Sequence, residues 1–372
     1  MQAVLDGKDN KNQQSTTRLY CDLDTGEAVE ALRDDKYAWR EKKQRTVEVA
    51  GLYRMGRDDK YADRAMSCST WLQYLANLGG DKRTLQAVNF CHLRLCPLCA
   101  NRRARRMTAR LIRILKAVKA EHPTATLLFL TLTVRNCEGN ELRDTLTLLT
   151  KAWKKLIDRR PVKRAIKGWF RAIEITRNQK DGTYHPHIHA ILAVEPDYFK
   201  RNKGLYILHS RDEKTPSSYK GPFWVNMWAE CLKADYLPSV RISRAKGKGS
   251  NQKDTDAASL SAALEAAKYA TKDAEFIDAK IPAVERADVL RTYTDALRGK
   301  RLVALGGWLA DAAGDVDLED DGDLVHDEDG DGDLTAATAE LLEVYGWHFG
   351  VEDHILKARF PNPDYEGGGT DG

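Results

Sequence analysis

No stretch of this 372-residue chain is apolar for long enough to cross a bilayer. The longest run, Leu127-Leu-Phe-Leu130 with its flanks, is far short of the roughly 20 residues a spanning helix needs. The N-terminus, Met1-Gln-Ala-Val-Leu-Asp-Gly-Lys8, lacks the apolar core of a secretory signal. A soluble cytoplasmic protein with no membrane partner is therefore expected. Acidic residues are missing from 82–119, which hold eleven Lys/Arg, and basic residues are missing from 311–333, which hold twelve Asp/Glu. The formal net charge of +4 thus hides a chain that is +16 outside the acidic run (4 plus 12). Such asymmetry points to a polyanion, most often nucleic acid, with a solvated basic helix face as the plainer alternative. The seven cysteines are odd in number and follow no secretory signal, which argues against a disulfide framework and for metal ligation.

Four of those cysteines, Cys68, Cys91, Cys96 and Cys99, fall within 32 residues. Cys96-Pro-Leu-Cys99 is a tight turn that aims two thiolates at one point, and zinc takes four such soft ligands in a tetrahedron. Cys68 is the natural fourth ligand, with His92 as the substitute; a redox C-x-x-C pair or plain buried cysteines are the competing readings. Arg102, Arg103, Arg105 and Arg106 follow directly, around the first turns of a helix with an apolar stripe at Met107, Leu111, Ile114, Leu115 and Val118. Arginines so placed suit phosphate contacts, which carry affinity but little sequence information.

The densest histidine cluster is His185-Pro-His187-Ile-His189, running into the strand-like Ala190-Ile-Leu-Ala-Val194. Side chains alternate across a strand, so His187 and His189 share one face, about 7 Å apart along the chain. Two imidazoles on one face are half of a divalent-metal site; a strand that merely carries satisfied histidines is the alternative. Trp169–Thr176 alternates too, and a polar connection with Asp181-Gly182 predicts a hairpin between the two. If Ile173 and Ile175 face the core, Glu174 faces the histidines as the third ligand; otherwise it is a solvated carboxylate.

Elsewhere, Thr126–Val134 predicts a buried strand with Thr131 and Thr133 on one face. Leu142, Leu146, Leu149, Trp153 and Leu156 define a helix that leaves Lys151, Lys154 and Lys155 exposed. Phe223–Leu232 reads as a helix, Ser239–Arg244 as a strand and Lys246–Asn251 as a flexible basic loop. The helix Ala257–Phe276 places Glu265, Tyr269 and Lys272 on one face. A short helix is expected near Thr25–Arg33 in an otherwise polar arm, and a last one over Thr335–Phe349. Asp317, Glu319, Asp321, Gly322, Leu324 and Glu328 fit calcium-loop spacing, but so acidic a segment matches by chance, and an acidic linker is the favoured reading.

In order, Cys91-x4-Cys96-Pro-Leu-Cys99-x2-Arg-Arg, Phe129-Leu-Thr-Leu-Thr133, His185-Pro-His-Ile-His189 and Lys268-Tyr-Ala-Thr-Lys-Asp273 resemble the plasmid rolling-circle replication initiators. These are Rep proteins of the HUH endonuclease superfamily with one catalytic tyrosine. Residues 65–308 carry the resemblance. It implies a site-specific single-strand nickase and strand transferase acting on origin DNA, single-stranded or hairpin, alongside a host helicase and single-strand-binding protein. It further implies Mg²⁺ or Mn²⁺ on His187, His189 and Glu174, with His185 in an outer role. Tyr269 would be the nucleophile, Glu265 the group that handles terminating hydrolysis, and Lys272 an aid to the tyrosinate or phosphate.

The expected fold class is α+β: an HUH-type antiparallel sheet with flanking helices on one side, preceded by a small zinc-binding segment and followed by an acidic accessory region. The boundaries are a polar N-terminal arm (1–60), a zinc-binding basic DNA-contact segment (61–122), a catalytic domain (123–310), an acidic linker (311–335) and a short helix with a disordered tail (336–372). The rivals are an HUH transposase or relaxase, a hydrolase using the histidines alone, and a non-catalytic zinc-dependent DNA-binding regulator. Relaxases carry the tyrosine before the histidines, the reverse of the order found.

Overall fold

Among the described residues, strand-forming segments pair into three antiparallel sheets of two, four and five strands, and the chain divides into two units: residues 1–102 with 321–372, and residues 103–320. The computed structural model describes residues 18–21, 26–32, 37–199, 224–244, 278, 280–319, 322–325 and 334–366. In chain order the strands are β1 (Leu19–Cys21), β2 (Ala28–Glu30), β3 (Trp71–Ala76), β4 (Arg83–Val88), β5 (Thr126–Thr133), β6 (Ile166–Arg177), β7 (Tyr184–Val194), β8 (Val240–Arg244), β9 (Val303–Gly307), β10 (Leu341–His348) and β11 (Asp353–Pro361). The helices are α1 (Trp39–Met55), α2 (Asp59–Ser67), α3 (Pro97–Glu121), α4 (Leu142–Asp158), α5 (Arg160–Ala165), α6 (Trp224–Leu232), α7 (Ala283–Leu297) and α8 (Trp308–Ala313). None of the helices among the described residues is long and apolar enough to cross a membrane.

The first unit holds a four-stranded sheet, ordered β11-β10-β3-β4, with α1 and α2. Three expectations change here. The helix expected over Thr335–Phe349 is the strand β10, because Leu341-Leu-Glu-Val-Tyr-Gly-Trp-His348 pairs with β3 and β11 on either side. The helix expected near Thr25–Arg33 is instead β2, paired with β1. The arm itself contains the 17-residue helix α1, which buries Trp39, Val49, Leu52 and Tyr53. Within the sheet, Glu343 is 1 % exposed and accepts from Arg83 Nε (2.7 Å), Arg359 Nε (2.7 Å) and Tyr345 Oη (2.9 Å). Burial alone would raise its carboxyl, but Arg83 and Arg359 win and hold it below the ordinary range, so the buried charge is paired.

The second unit is built on a five-stranded antiparallel sheet, ordered β8-β5-β7-β6-β9. The hairpin of β6 and β7 closes as expected through Asn178–Thr183: Gly182 has φ +75 and Asp181 accepts from the Thr183 amide. In β7 every residue from Ile188 to Val194 except His189 is buried. Such an unbroken apolar run marks a central strand covered on both faces.

Covering comes from helices on both sides, not one. Met107, Leu111, Ile114, Leu115 and Val118 of α3 pack with Phe170, Ala172, Ile191 and Ala193, and with Leu309 and Ala313 of α8. These strand residues share the parity of Glu174, His187 and His189. On the opposite face Trp153 of α4 meets Trp169 edge-on, with ring centroids 5.3 Å apart. A one-sided layer would leave one set of β7 side chains in water, at about 1.5–3 kcal/mol for each large apolar residue exposed.

The start of the acidic run is folded. Leu318 joins the α3 cluster, the Asp317 carboxylate pairs with Arg301 (2.7 Å), and Glu319 Oε1 accepts from the amides of Leu302 (3.0 Å) and Val303 (3.3 Å). Those contacts engage two of the carboxylates that fit the calcium spacing. Asp321 and Glu328 lie outside the described residues, as do the basic loop Lys246–Asn251 and the helix expected over Ala257–Phe276.

A candidate metal centre on the sheet and a buried cysteine cluster

The register of the second sheet sets Glu174 directly opposite His187, Ala172 opposite His189, and on the other side Thr131 opposite His189 and Thr133 opposite His187. Ile173 and Ile175 are buried on the far face, so Glu174 does face the histidines. His187 Nε2 and His189 Nε2 each lie 2.9 Å from the same oxygen, Glu174 Oε2. Glu174 is 2 % exposed, at the floor of the group, and His189 is half-buried.

The orientation of each ring is set by a second contact. His187 Nδ1 lies 3.0 Å from the carbonyl of His185. A carbonyl only accepts, so Nδ1 carries the proton and Nε2 is the atom turned to the carboxylate. His189 Nδ1 lies 3.3 Å from Thr131 Oγ1. With Nε2 given to a cation, Nδ1 keeps its proton and the threonine accepts it, a common way to fix the tautomer of a ligand. His185 stands outside the trio: its Nδ1 is 2.8 Å from Asn136 Oδ1, and burial first, then the neighbouring His187, pull its imidazole below the usual range. Reciprocal backbone bonds between Cys137 and Tyr184 (2.9 and 2.8 Å) pin the start of β7. One carboxylate oxygen and two imidazole nitrogens, all within 4.8 Å of one another, make a set that can hold a divalent metal ion.

The first unit carries a separate cluster. Cys68 ends α2, Cys91 follows β4, Cys96 precedes α3 and Cys99 lies in its first turn. Their sulfurs approach at 3.6 Å (Cys68–Cys99), 3.7 Å (Cys91–Cys99) and 3.6 Å (Cys96–Cys68). A tetrahedron with metal–sulfur bonds of about 2.3 Å has edges of about 3.8 Å, so the four thiols fit one metal ion. His92 is exposed with φ +54, and Cys68 takes the fourth place. Burial pushes the Cys96 thiol up, but the three neighbouring thiols outweigh it and hold Cys96 well below the usual range. Hydrogen bonds with Cys91, Cys96 and Cys99, then burial, push Cys68 well above it.

Two residues beside this cluster escaped sequence reading because they lie on α1, in what reads as a polar arm. Lys43 is fully buried and donates from Nζ to the carbonyls of Met66 and Cys68, both at 2.6 Å. Burial lowers its ammonium and the nearby thiols oppose that. Thr46 Oγ1 lies 3.7 Å from Cys96 Sγ. Only the isolated apolar residues of α1 hinted that this face is inside.

The arginines divide. Arg102 is 3 % exposed, donates to the carbonyls of Leu324 (2.7 Å) and Val325, and lies over the Tyr37 ring at 5.0 Å. Arg103, Arg105 and Arg106 are half-buried. Glu265, Tyr269 and Lys272 lie outside the described residues.

Comparison with known proteins agrees on one family. A family model described as replication protein matches residues 82–354, which includes both the sheet centre and three of the four cysteines. The chain is 31% identical over 338 residues to "Protein rep" of Bacillus amyloliquefaciens, covering 87% of this chain and 94% of that one. It is 34% identical over 323 residues to "Protein rep" of Lactiplantibacillus plantarum, covering 86% and 95%. It is 31% identical over 322 residues to "Protein rep" of Streptococcus pneumoniae, covering 86% and 92%. No solved structure matches. With the motif order, the sheet register and these relatives in agreement, the chain belongs to the Rep_1 family of replication proteins, the plasmid Rep proteins.

Proposed function

We propose that this Rep protein starts plasmid replication by nicking one strand of origin DNA through tyrosine transesterification, as an HUH-type enzyme. The carrying observation is the convergence of His187 Nε2 and His189 Nε2 on Glu174 Oε2, each at 2.9 Å, on a rigid central strand pair. Mg²⁺ or Mn²⁺ held there supplies Lewis-acid polarisation of the scissile phosphate and draws charge from its oxygens. A phenol with pKa near 10 is a poor nucleophile until its proton is removed. Tyr269 Oη then attacks phosphorus, the bond to the 3′ oxygen breaks, and the products are a 5′-phosphotyrosine and a free 3′-OH that a polymerase extends. The phosphodiester energy is kept in the link, so the strand can be rejoined.

Glu265, four residues before Tyr269 in the sequence, activates water when replication terminates. Lys272, three residues after Tyr269 in the sequence, favours the tyrosinate or grips phosphate. His185 acts through its carbonyl, which holds the His187 ring. Zn²⁺ on Cys68, Cys91, Cys96 and Cys99 fits the thiolate set and serves structure. Arg103, Arg105 and Arg106 contact phosphate; Arg102 supports them from inside. A host helicase and single-strand-binding protein complete the replication machinery.

The test is an adduct assay: protein, Mn²⁺ and labelled single-stranded DNA spanning its plasmid's candidate origin, analysed after denaturation. Label on the protein that is lost in Tyr269→Phe is expected. Cutting to 5′-phosphate ends with no label would mean hydrolysis and overturn the covalent mechanism.

A further inference from the structure

The end of the second sheet farthest from Glu174 carries a dense group of exposed positive charge. Residues 151–167 hold eight Lys/Arg against one acid, Asp158. Arg159 is paired with Glu230 (2.6 Å) and Lys167 with Glu195 (3.2 Å). Lys151, Lys154, Lys155, Arg160, Lys163 and Arg164 are all exposed and none makes an ion pair among the described residues. On α4 the three lysines fall at i, i+3 and i+4, one solvent-facing stripe opposite the buried Leu149, Trp153 and Leu156. The short α5 adds its three at the corner where the chain turns into β6. Cations in the last turn of a helix gain a few tenths of a kcal/mol from its dipole, which accounts for one or two of these residues but not for six.

We propose that this α4–α5 surface is a docking site for the phosphate backbone of duplex DNA beside the nick, a reading that rests on the proposed nicking function. The charge density suits a polyanion. The absence of stacking groups argues for duplex over single strand: the only aromatic residue in 151–167 is Trp153, 3 % exposed and packed on Trp169. Single-strand grooves rely on exposed aromatics on which bases stack, whereas a duplex offers a rail of phosphates to charge alone. Spacing adds a second constraint. Seven residues of β6 separate Lys167 from Glu174, about 23 Å at roughly 3.3 Å per residue. At about 3.4 Å per step that in-plane distance alone is about seven base pairs, and because α4 covers the face of the sheet opposite Glu174, a duplex held on this surface is met more than about seven base pairs from the phosphate being cut. The metal centre handles the melted strand and the lysine face holds the helix that flanks it.

The test uses the full chain and the variant Lys154→Gln/Lys155→Gln/Lys163→Gln/Arg164→Gln, all at exposed positions outside the metal centre. One probe is a single-stranded candidate-origin segment; the other is that segment joined to a 30-base-pair duplex. On the duplex-bearing probe the variant is expected to bind about ten-fold or more weakly near 0.1 M salt. The slope of log K against log salt should flatten by about 3 to 4, roughly 0.9 for each phosphate that is no longer neutralised. Binding and adduct formation on the bare single strand stay within about two-fold. Phosphate ethylation interference should fall in the duplex, more than about seven base pairs from the nick. Equal loss on both probes, or no loss on either, would overturn the proposal, the second outcome pointing to an acidic protein partner instead. Failure of the parent protein to form an adduct would overturn the nicking function and is read separately from the difference in affinity between the two probes.

Discussion

A single histidine far from the metal centre shows how burial, not identity, sets the chemistry of a side chain. His354 is fully buried, and its Nε2 donates to the Ser69 carbonyl at 2.7 Å. Burial pulls its imidazole from 6.5 down to about 4 against the help of that carbonyl. Above pH 6.5 both folded and unfolded chains hold a neutral ring. Between 6.5 and 4 the unfolded chain takes up a proton that the folded one refuses, so stability falls as pH falls, by about 3 kcal/mol in all. His354→Gln keeps a donor toward Ser69 and removes the titration. Urea unfolding at pH 7 and pH 5 should show the variant losing about 2 kcal/mol less than the parent between the two; equal losses would assign the acid sensitivity elsewhere.

At the scale of elements, the pairing of β6 with β7 is what makes a site from scattered residues. A slip of one residue would send Glu174 to the α4 face and leave the histidines without a carboxylate. The edge strand β9 pairs closely with β6, and Gly307 is one of the glycines that allow it. Gly307 has φ +55, and a Cβ there would overlap the Lys167 carbonyl oxygen. Gly307→Ala is therefore expected to lose about 3 kcal/mol of stability, through a left-handed backbone and a forced gap between β9 and β6. Hydrogen exchange would show it as early opening of β9 and of the first residues of β6. Retained protection there would mean the strand end rearranges at little cost. The hairpin and the α3 and α4 stripes were legible in sequence because period and turn chemistry are local. β10 was not, since its apolar residues suit either helix or strand, and only partners on both sides decide.

At the scale of the whole chain, two sets of residues that could hold metal ions lie in two different units, which predicts two separable responses to metal loss. Zinc held as proposed by the four thiolates would contribute on the order of 10 kcal/mol to the fold around it. A strong chelator should therefore open α1, α2 and the β3–β4 pair of the first unit, while the β5, β6 and β7 amides of the second stay protected from exchange. Adding Zn²⁺ restores the first unit, and Mn²⁺ does not. Loss of protection in both sheets together would show that the units do not unfold independently. The acidic run belongs partly to the second unit through Leu318, Asp317 and Glu319, so deleting it whole would remove core packing along with charge.

By itself, the sequence determined the chemistry on offer: which residues carry donors, the face on which His187, His189 and Glu174 lie, the four thiols, and the uneven charge. These follow from alternation, spacing and composition, which act over a few residues. Only the tertiary structure decided which offers meet. It placed Glu174 Oε2 between two imidazoles, chose Cys68 over His92, buried Lys43 beside the thiols and turned Arg102 inward to the Leu324 and Val325 carbonyls. Each of those outcomes depends on strand register and on burial between segments up to some 220 residues apart, and neither is encoded in any local pattern.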